Sequence, residues 1–403
     1  MKNEIVTTLQ ILSSLKEIAA EDWDRCANAI APNSSSCTLT NSFNPFLSYR
    51  FLSSLEDSGC AVKETGWMAQ HLVLSRAEDG KEPEICGLVP CYLKNHSQGE
   101  YVFDQGWADA FERAGGQYYP KLQSSIPFTP ANGRRLLVPF DDRADENRQI
   151  LASGLRQVCE QLQVSSAHLT FIEKQEWELL HQHGFLCRKD QQFHWYNDGF
   201  ENFDDFLSSL NSRKRKTIRK ERRAALADNG ITIEWLTGND LTEDVWDCFF
   251  EFYQDTGARK WGRPYLNRIF YSMIGERLAK DIVLIMAKRD GQYVAGAINF
   301  IGSDTLYGRH WGCREHHPFL HFEICYYQAI EWAIAHKKMR IEAGAQGEHK
   351  LARGYLPQIT YSAHYIANPS FRDAIEDYLT RERRAVEHEN KLLAEHSPFK
   401  KDL

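Results

Sequence analysis

Residues 342–357 place closely spaced polar side chains between glycines, directly after a short apolar run. The segment reads EAGAQGEHKLARGYLP. Glycine allows tight turns and a close approach of the backbone to a ligand, and loops beyond strand ends often carry function. The pattern therefore predicts a site for a polar ligand, whereas the simpler interpretation is an ordinary loop with solvated charges. The side chains that we single out are those of Gln346, Glu348, His349, Lys350 and Arg353.

Two groups of this segment are candidates for removing a proton from an attacking amine. Histidine has the side-chain pKa nearest neutrality, which favours His349. Glu348 is a candidate if burial raises its pKa, and the sequence does not decide between the two. Lys350 could act beside them by stabilising an oxyanion or holding an anionic group. The other substrate contacts predicted in this segment are Gln346, Gly347 and Arg353.

A second unusual stretch, residues 115–137, reads GGQYYPKLQSSIPFTPANGRRLL. It has too much Gly, Pro and Ser for a core element, yet it is too aromatic for a flexible linker. Long loops inside compact domains are usually functional or disordered. We expect either the ordered wall of a substrate cleft or simple packing. The predicted substrate contacts here are Tyr118, Tyr119, Lys121 and Arg135.

The run RKRKTIRKERR, residues 213–223, contains eight cations and one carboxylate. On a helix, Arg215, Arg219 and Arg222 share a face that could contact the phosphates of a donor, and such contacts make binding salt-dependent. A solvated helix is the plainer interpretation.

The end of the strand predicted at residues 305–313 is a third candidate region. Trp311 and Gly312 mark where this strand could separate from its neighbour to admit a ligand. Four histidines lie nearby, but Pro318 interrupts the helix that would align two of them and no H-E-x-x-H pattern is present, so we predict no metal site. No serine–histidine or cysteine–histidine pairing indicates a covalent nucleophile. The four histidines are His310, His316, His317 and His321.

Composition limits the class of protein. The chain has 403 residues, 42% hydrophobic content and a net charge of −7, as expected for a globular chain of two to three domains that is not built as a polycation for DNA. Its ten scattered cysteines include no C-x-x-C pair, which favours reduced thiols in a cytoplasmic protein. No signal peptide and no apolar run long enough to span a membrane is visible.

Hydrophobic periodicity predicts an α/β (α+β) protein whose two halves repeat one order of elements. We expect strands at residues 70–76, 84–93, 101–105, 167–172 and 185–196, and helices at 147–163 and 174–183. Residues 197–202 are the best boundary. Beyond it we expect helices, three meander strands within residues 282–313, an apolar helix at 320–336, a strand at 359–367, and a last helix with a capping box formed by Ser370 and Asp373.

The motifs RKTIRK, DGQYVAGAINF, GAQGEHKLARGYLP and YYPKL…PFTPANGRRL together resemble the FemAB/FemX-like proteins of the GNAT acyltransferase superfamily. The branch that they resemble is described as peptidoglycan biosynthesis or predicted N-acyltransferase, and the resemblance covers nearly the whole chain. It implies two tandem GNAT-like domains with mixed sheets flanked by helices. We place them at residues 1–197 and 198–369, followed by a surface helix at 370–403, with the substrate cleft between or beside the domains.

The resemblance also implies transfer of an acyl or aminoacyl group to a small-molecule or peptide amine, with no bound cofactor. Fem enzymes take the group from charged tRNA and attach it to a peptidoglycan precursor, whereas GNAT relatives use acyl-CoA. Residues 312–318 lack the usual pyrophosphate loop of CoA-dependent members, and no coiled-coil insertion interrupts residues 198–367, so the co-substrate stays open between acyl-CoA and aminoacyl-tRNA. The alternative is a non-catalytic GNAT-like module that binds a peptide or RNA; a metallohydrolase is a distant third.

Overall fold

The computed structural model describes residues 5–28, 43–78, 82–260, 264–345 and 347–400. Two compact units divide the chain. The first comprises the described residues up to Asp190 together with Thr360–Val386, and the second comprises Gln191–Ile359 and the residues from Glu387 onward. The first unit therefore also includes most of a strand from the predicted second domain and most of the predicted surface helix. The predicted boundaries after residues 197 and 369 stay a prediction.

In the first unit a series of consecutive strands, β2 to β5, is followed by alternating helices and strands, as the periodicity predicts. Its strands belong to two sheets, a three-stranded one with the order β1-β3-β4 and a mixed one that contains β2-β5-β6-β7-β14. The strands are β1 (Ile5–Leu12), β2 (Met68–Ala69), β3 (His71–Glu78), β4 (Glu84–Val89), β5 (Tyr92–Lys94), β6 (Lys121–Ser124), β7 (Ser166–Ile172), the start of β8 (Leu186–Tyr196) and most of β14 (Leu356–Ile366). The helices are α1 (Ala20–Ala27), α2 (Tyr49–Asp57), α3 (Gln105–Arg113), α4 (Ala144–Gln161), α5 (Lys174–Gln182) and most of α12 (Pro369–Glu395).

The two faces of the mixed sheet in the first unit differ in chemistry. One face is apolar, because side chains of β6, β7 and β14 such as Leu122 and Leu169 share a core with Leu151 and Leu155 of α4. The opposite face is also buried, but its strands present Lys, Gln, His and Ser side chains.

The second unit is built around a mixed sheet with the order β8-β13-β12-β11-β10-β9. Only β12 and β13 pair in parallel. The remaining strands are β9 (Ile231–Leu236), β10 (Ile282–Arg289), β11 (Gln292–Ile301), β12 (Thr305–Cys313) and β13 (Arg340–Glu342). The helices are α6 (Phe203–Ser209), α7 (Ser212–Ala225), α8 (Glu243–Lys260), α9 (Arg268–Arg277), α10 (Leu320–Phe322) and α11 (Gln328–Ala335).

The predicted mixed α/β fold is confirmed, and four local expectations are wrong. Residues 101–105 are no strand, because Tyr101 adopts φ 61° and α3 begins at Gln105. Residues 115–137 contain the buried strand β6. The apolar helix is interrupted by a π-helical turn, Glu323–Tyr327. The last helix begins at Pro369, and Asn368 rather than Ser370 caps it by accepting a hydrogen bond from the Phe371 amide.

Gly312 allows α8 to approach β12 closely. A Cβ built at this position would lie 2.1 Å from the carbonyl oxygen of Phe252, which is a backbone atom of α8. Backbone atoms cannot move aside as a flexible side chain can. This glycine therefore has a packing role.

Gly312→Ala should lower the free energy of unfolding by about 1–3 kcal/mol, the usual cost of overpacking a core. Gly106→Ala in α3 is the matched control, since its Cβ meets nothing within 4 Å and alanine favours helix formation. Urea unfolding of both variants measures the difference. Equal stability of Gly312→Ala and the unsubstituted protein would contradict the packing role.

Candidate active site

The parallel strands β12 and β13 separate soon after they meet. They pair at only three positions, the last joining Tyr307 to Glu342. β12 continues to Cys313, whereas the backbone that follows β13 turns away through Gly344, whose φ is 76°. In the described part of the second unit no strand pairs with this edge of β12 beyond Tyr307. An open strand edge is a place where an extended ligand with amide groups can pair with the backbone.

His349 lies in the turn that follows this separation. It belongs to a 3-10 helix, Glu348–Arg353, and its Nε2 lies 3.0 Å from the Tyr326 hydroxyl oxygen. Burial raises the pKa of Tyr326, so this hydroxyl keeps its proton at neutral pH. The contact fixes the orientation of the imidazole, as the partner of a general base does.

Aromatic rings surround His349. The ring centroids of Phe322 and Tyr326 lie 5.4 and 5.6 Å from that of His349, and the centroid of His321 lies 6.2 Å away. His321 in turn contacts Trp311 of the separated part of β12, with centroids 5.1 Å apart. The predicted contact Trp311 and the predicted base His349 are thus joined through one half-buried aromatic cluster.

Gly347 leaves the space that the His349 ring occupies. A Cβ built at Gly347 would lie 2.3 Å from His349 Cε1, and Gly347 has φ 111°. Any other residue here would both strain the backbone and displace the imidazole. Gly347 therefore positions His349, and a contact with substrate stays a prediction.

Lys350 and Arg353 are engaged by the protein itself. Lys350 Nζ donates to the carbonyl oxygens of Ala343 and Gly344 at 2.5 and 3.1 Å, and burial lowers its pKa to about 8. Arg353 donates to Glu221 at 2.8 Å and lies 3.5 Å above the Phe322 ring centroid. These contacts hold the loop and the aromatic cluster in place, so a direct role of either side chain toward substrate stays a prediction.

The remaining two predicted residues of this segment are described incompletely. Gln346 lies outside the described residues, and Glu348 is described only by its backbone in the 3-10 helix. The choice between Glu348 and His349 as the base therefore stays open, and of the two only the surroundings of the His349 side chain are known.

The three arginines predicted to bind donor phosphate have different surroundings. Arg222 forms a bidentate pair with the buried carboxylate of Glu323 and contacts Glu331 at 2.7 Å. Arg219 pairs with exposed Asp204 at 3.0 Å. Arg215 has no acidic partner among the described residues.

The four predicted contacts in the first unit lie in its interior. Tyr118, Lys121 and Arg135 are fully buried, and Tyr119 is partly exposed. Lys121 is bound by carboxylates and Arg135 by backbone carbonyls, such as that of Ala131 at 2.9 Å. Their role in substrate binding stays a prediction.

Sequence reasoning missed Tyr326 and Phe322 and considered His321 only as a metal ligand. All three lie at the start of the apolar helix, where the π-helical turn changes the direction of successive side chains. A run of aromatics in an apolar helix usually indicates core, so the only available signal was the density of aromatic and histidine residues in FLHFEICYY. Among the described residues, no group of three or more His, Cys, Asp or Glu is arranged to hold a metal ion.

Comparison with known proteins identifies the family. The model of the FemAB-like family, described as peptidoglycan biosynthesis/recognition, matches residues 14–401. The chain belongs to the FemAB-like family. The resemblance drawn from the motifs is thereby confirmed. No curated protein sequence matches the chain significantly.

Solved structures agree on the fold of this FemAB-like chain. FemX, whose crystal structure is known, is 14% identical in sequence to this chain, with a TM-score of 0.53. The match covers 89% of this chain and 98% of the FemX chain. A conserved protein of unknown function from Bacteroides thetaiotaomicron is 11% identical, with a TM-score of 0.50. That match covers 90% of this chain and 100% of the Bacteroides chain. Such identities show the fold alone. The mixed α/β fold, with mixed sheets flanked by helices, is confirmed, and family and fold support an acyltransferase-type function. No described helix is both long and apolar enough to cross a membrane.

Arg222→Ala should lower the free energy of unfolding by about 3 kcal/mol, because it removes the cation that compensates the buried Glu323 carboxylate. Arg215→Ala is the matched control on the same helix. It should change the free energy of unfolding by less than about 0.5 kcal/mol. Denaturant unfolding separates the two. Equal effects would contradict a structural role for Arg222.

Proposed function

We propose that this FemAB-like protein is an N-acyltransferase that moves an acyl or aminoacyl group from an activated donor to an amine by direct attack. The observation that carries the proposal is the His349 imidazole, bonded to Tyr326 beside the separated strands β12 and β13. A base with a fixed orientation next to an open strand edge suits a reaction in which an extended donor must meet a deprotonated amine.

In the proposed reaction the amine nitrogen attacks the donor carbonyl, and the leaving group departs as a thiol or a ribose hydroxyl. His349 accepts the proton that the amine loses on attack. The open edge of β12 holds amide groups of an acyl-CoA donor or of a peptide acceptor, so that amine and carbonyl meet in one geometry. Much of the rate acceleration arises from such positioning. No acyl group is attached to the protein. The family description favours an amine of a peptidoglycan precursor as the acceptor.

The donor is proposed to contact α7. Besides the paired Arg219 and Arg222, this helix carries cations with no acidic partner among the described residues, and the negative net charge of −7 makes this local positive surface unusual. A polynucleotide would engage more of these cations than the few phosphates of acyl-CoA, so salt dependence distinguishes the two donors. The cations are Arg213, Lys214, Arg215, Lys216, Lys220 and Arg223.

His349→Ala should reduce kcat by about 10²–10⁴-fold, the usual contribution of a general base, and should remove the acid limb of the pH–rate profile. Tyr326→Phe should give a smaller loss, because it only loosens the imidazole. His388→Ala on exposed α12 is the control. Acylated product is measured by mass spectrometry with acetyl-CoA and with aminoacyl-tRNA as donors. Full activity of His349→Ala would assign the base elsewhere, and Glu348→Ala tests the alternative in parallel.

The triple variant Arg213→Ala, Lys216→Ala, Lys220→Ala tests the donor. With aminoacyl-tRNA we expect KM to rise and the slope of log KM against log salt to fall by about two to three. With acetyl-CoA the change should be smaller. Removing three exposed cations elsewhere, Lys63, Arg113 and Lys391, is the charge-matched control. An unchanged KM for both donors would exclude α7 as their contact.

The alternative is a binding module without catalysis. It predicts that RNA or a peptide binds through α7 and that no donor yields acylated product. Product formation from either donor rules this alternative out.

A further inference from the structure

The first unit contains a buried polar face that the proposed reaction does not use. Side chains two residues apart on a strand point to the same side of a sheet, and registered neighbours share that side. Tyr92 is registered with Gln123, Lys94 with Lys121, Gln123 with His168, and His168 with His364. Each of these six side chains is no more than 2% exposed. Four adjacent strands thus present polar groups on one buried face.

A network of short contacts runs across this face. Lys121 Nζ donates to Glu100 at 2.7 Å, to Asp104 at 2.5 Å and to Ser97 at 2.8 Å. Tyr118 donates to the same Asp104 oxygen at 2.7 Å. Burying two carboxylates is costly unless each oxygen is satisfied, and this network does not satisfy them all.

Several buried acceptor atoms of this face have no hydrogen-bond partner among the described residues. They are Glu100 Oε1, Asp104 Oδ1 and Gln123 Oε1. The Tyr92 hydroxyl oxygen also has no hydrogen-bond partner among the described residues. The nearest cation to Glu100 Oε1 is Lys94 Nζ, 3.9 Å away and beyond hydrogen-bond distance. Buried polar atoms without a partner are uncommon in folded proteins and call for an explanation such as an absent ligand.

We propose that this face is a second ligand site, which binds the ammonium group of a small amine. The three unpartnered oxygens of Glu100, Asp104 and Gln123 are acceptors, so the ligand must bring hydrogen-bond donors. An aromatic ring next to them already accommodates an ammonium, since Lys94 Nζ lies 3.5 Å from the Trp67 ring centroid. Ammonium groups are attracted to the faces of such rings.

Residues 95–104 cover the site. This one loop supplies Ser97, Glu100 and Asp104 to Lys121, and the partly exposed Tyr119 contacts Ser97 Oγ at 2.8 Å. The site lies within the first unit, and its test is independent of the acyltransferase proposal.

The charge of the site changes near neutral pH. Burial raises the pKa of Glu100 to about 7 and lowers that of Lys94 to about 7. Lys121 stays protonated because Glu100 and Asp104 outweigh the effect of its burial, and Asp104 stays ionised because Lys121 outweighs the effect of its own burial. As the pH rises through 7, these four groups pass from a net positive to a net negative charge, which favours an ammonium.

Burial also shifts the pKa values of the imidazole and phenol groups around the site. Burial lowers the pKa of His168 to about 3 and places that of His364 well below its usual value, so both stay neutral. Burial raises the pKa of Tyr118, which stays protonated, and the nearby Arg188 guanidinium contributes to the lowered pKa of both histidines. Burial and Lys94 lower the pKa of His96. Binding of an ammonium should therefore strengthen between pH 6 and pH 8.

The test is saturation-transfer NMR of the full chain with ethylamine, with ethanol and propionate as size-matched controls. We expect ethylamine alone to bind, with an affinity that rises by about 10-fold or more from pH 6 to pH 8, since up to two protons are released. Absence of ethylamine binding would overturn the proposal. Binding of ethanol equal to that of ethylamine would also overturn it, because the site would then recognise a hydroxyl.

Gln123→Met distinguishes a ligand site from a structural network. It replaces an unpartnered buried acceptor by an apolar side chain of similar size, so the melting temperature should hold or rise while ethylamine binding falls by at least about 10-fold. Glu100→Gln is the second variant, and it should weaken binding and flatten its pH dependence. A lower melting temperature of Gln123→Met with ethylamine binding retained would show that the face is structural only.

Discussion

The early end of the β12–β13 pairing is the constraint on which the candidate active site depends. After three registered pairs, the positive φ of Gly344 turns the backbone that follows β13 away, while β12 continues to Cys313. The turn leads into the 3-10 helix that carries His349, and the unpaired part of β12 carries Trp311. A continuous pairing would have filled the open edge with a strand. The separation of two backbones thus creates both the space for the proposed ligand and the position of the proposed base His349.

Two buried carboxylates hold the surroundings of that site together. Glu221 of α7 accepts from Arg353 and from Tyr327, and Glu323 of the π-helical turn accepts from Arg222. They connect α7, the interrupted apolar helix and the turn containing His349. Because a buried carboxylate without its partner is strongly destabilising, these pairs divide the cations of α7 into an inner set that is structural and an outer set that remains available to a ligand.

The first unit handles buried polarity in a different way. In the second unit the buried acids Glu221 and Glu323 are well supplied with donors, whereas in the first unit Glu100 and Asp104 each retain an oxygen without a hydrogen bond. A network that serves only stability tends to satisfy its members. This contrast between four named carboxylates is why the polar face of the first unit is assigned a ligand, whereas Glu221 and Glu323 are assigned a structural role.

The sequence by itself determined the mixed α/β class, the family and the segment that carries His349. Each depends on information that is local in the chain: periodicity of apolar residues, glycines beside polar groups, and contiguous motifs. Tertiary structure alone decided that Tyr326 contacts His349, that Gly312 serves packing against α8, and that Arg222 differs from Arg215 on the same helix face. Those outcomes depend on partners that lie far away in the chain, such as Glu323, 101 residues from Arg222. Arginines in one periodic run look alike in sequence, because burial and charge pairing arise only when distant elements pack together.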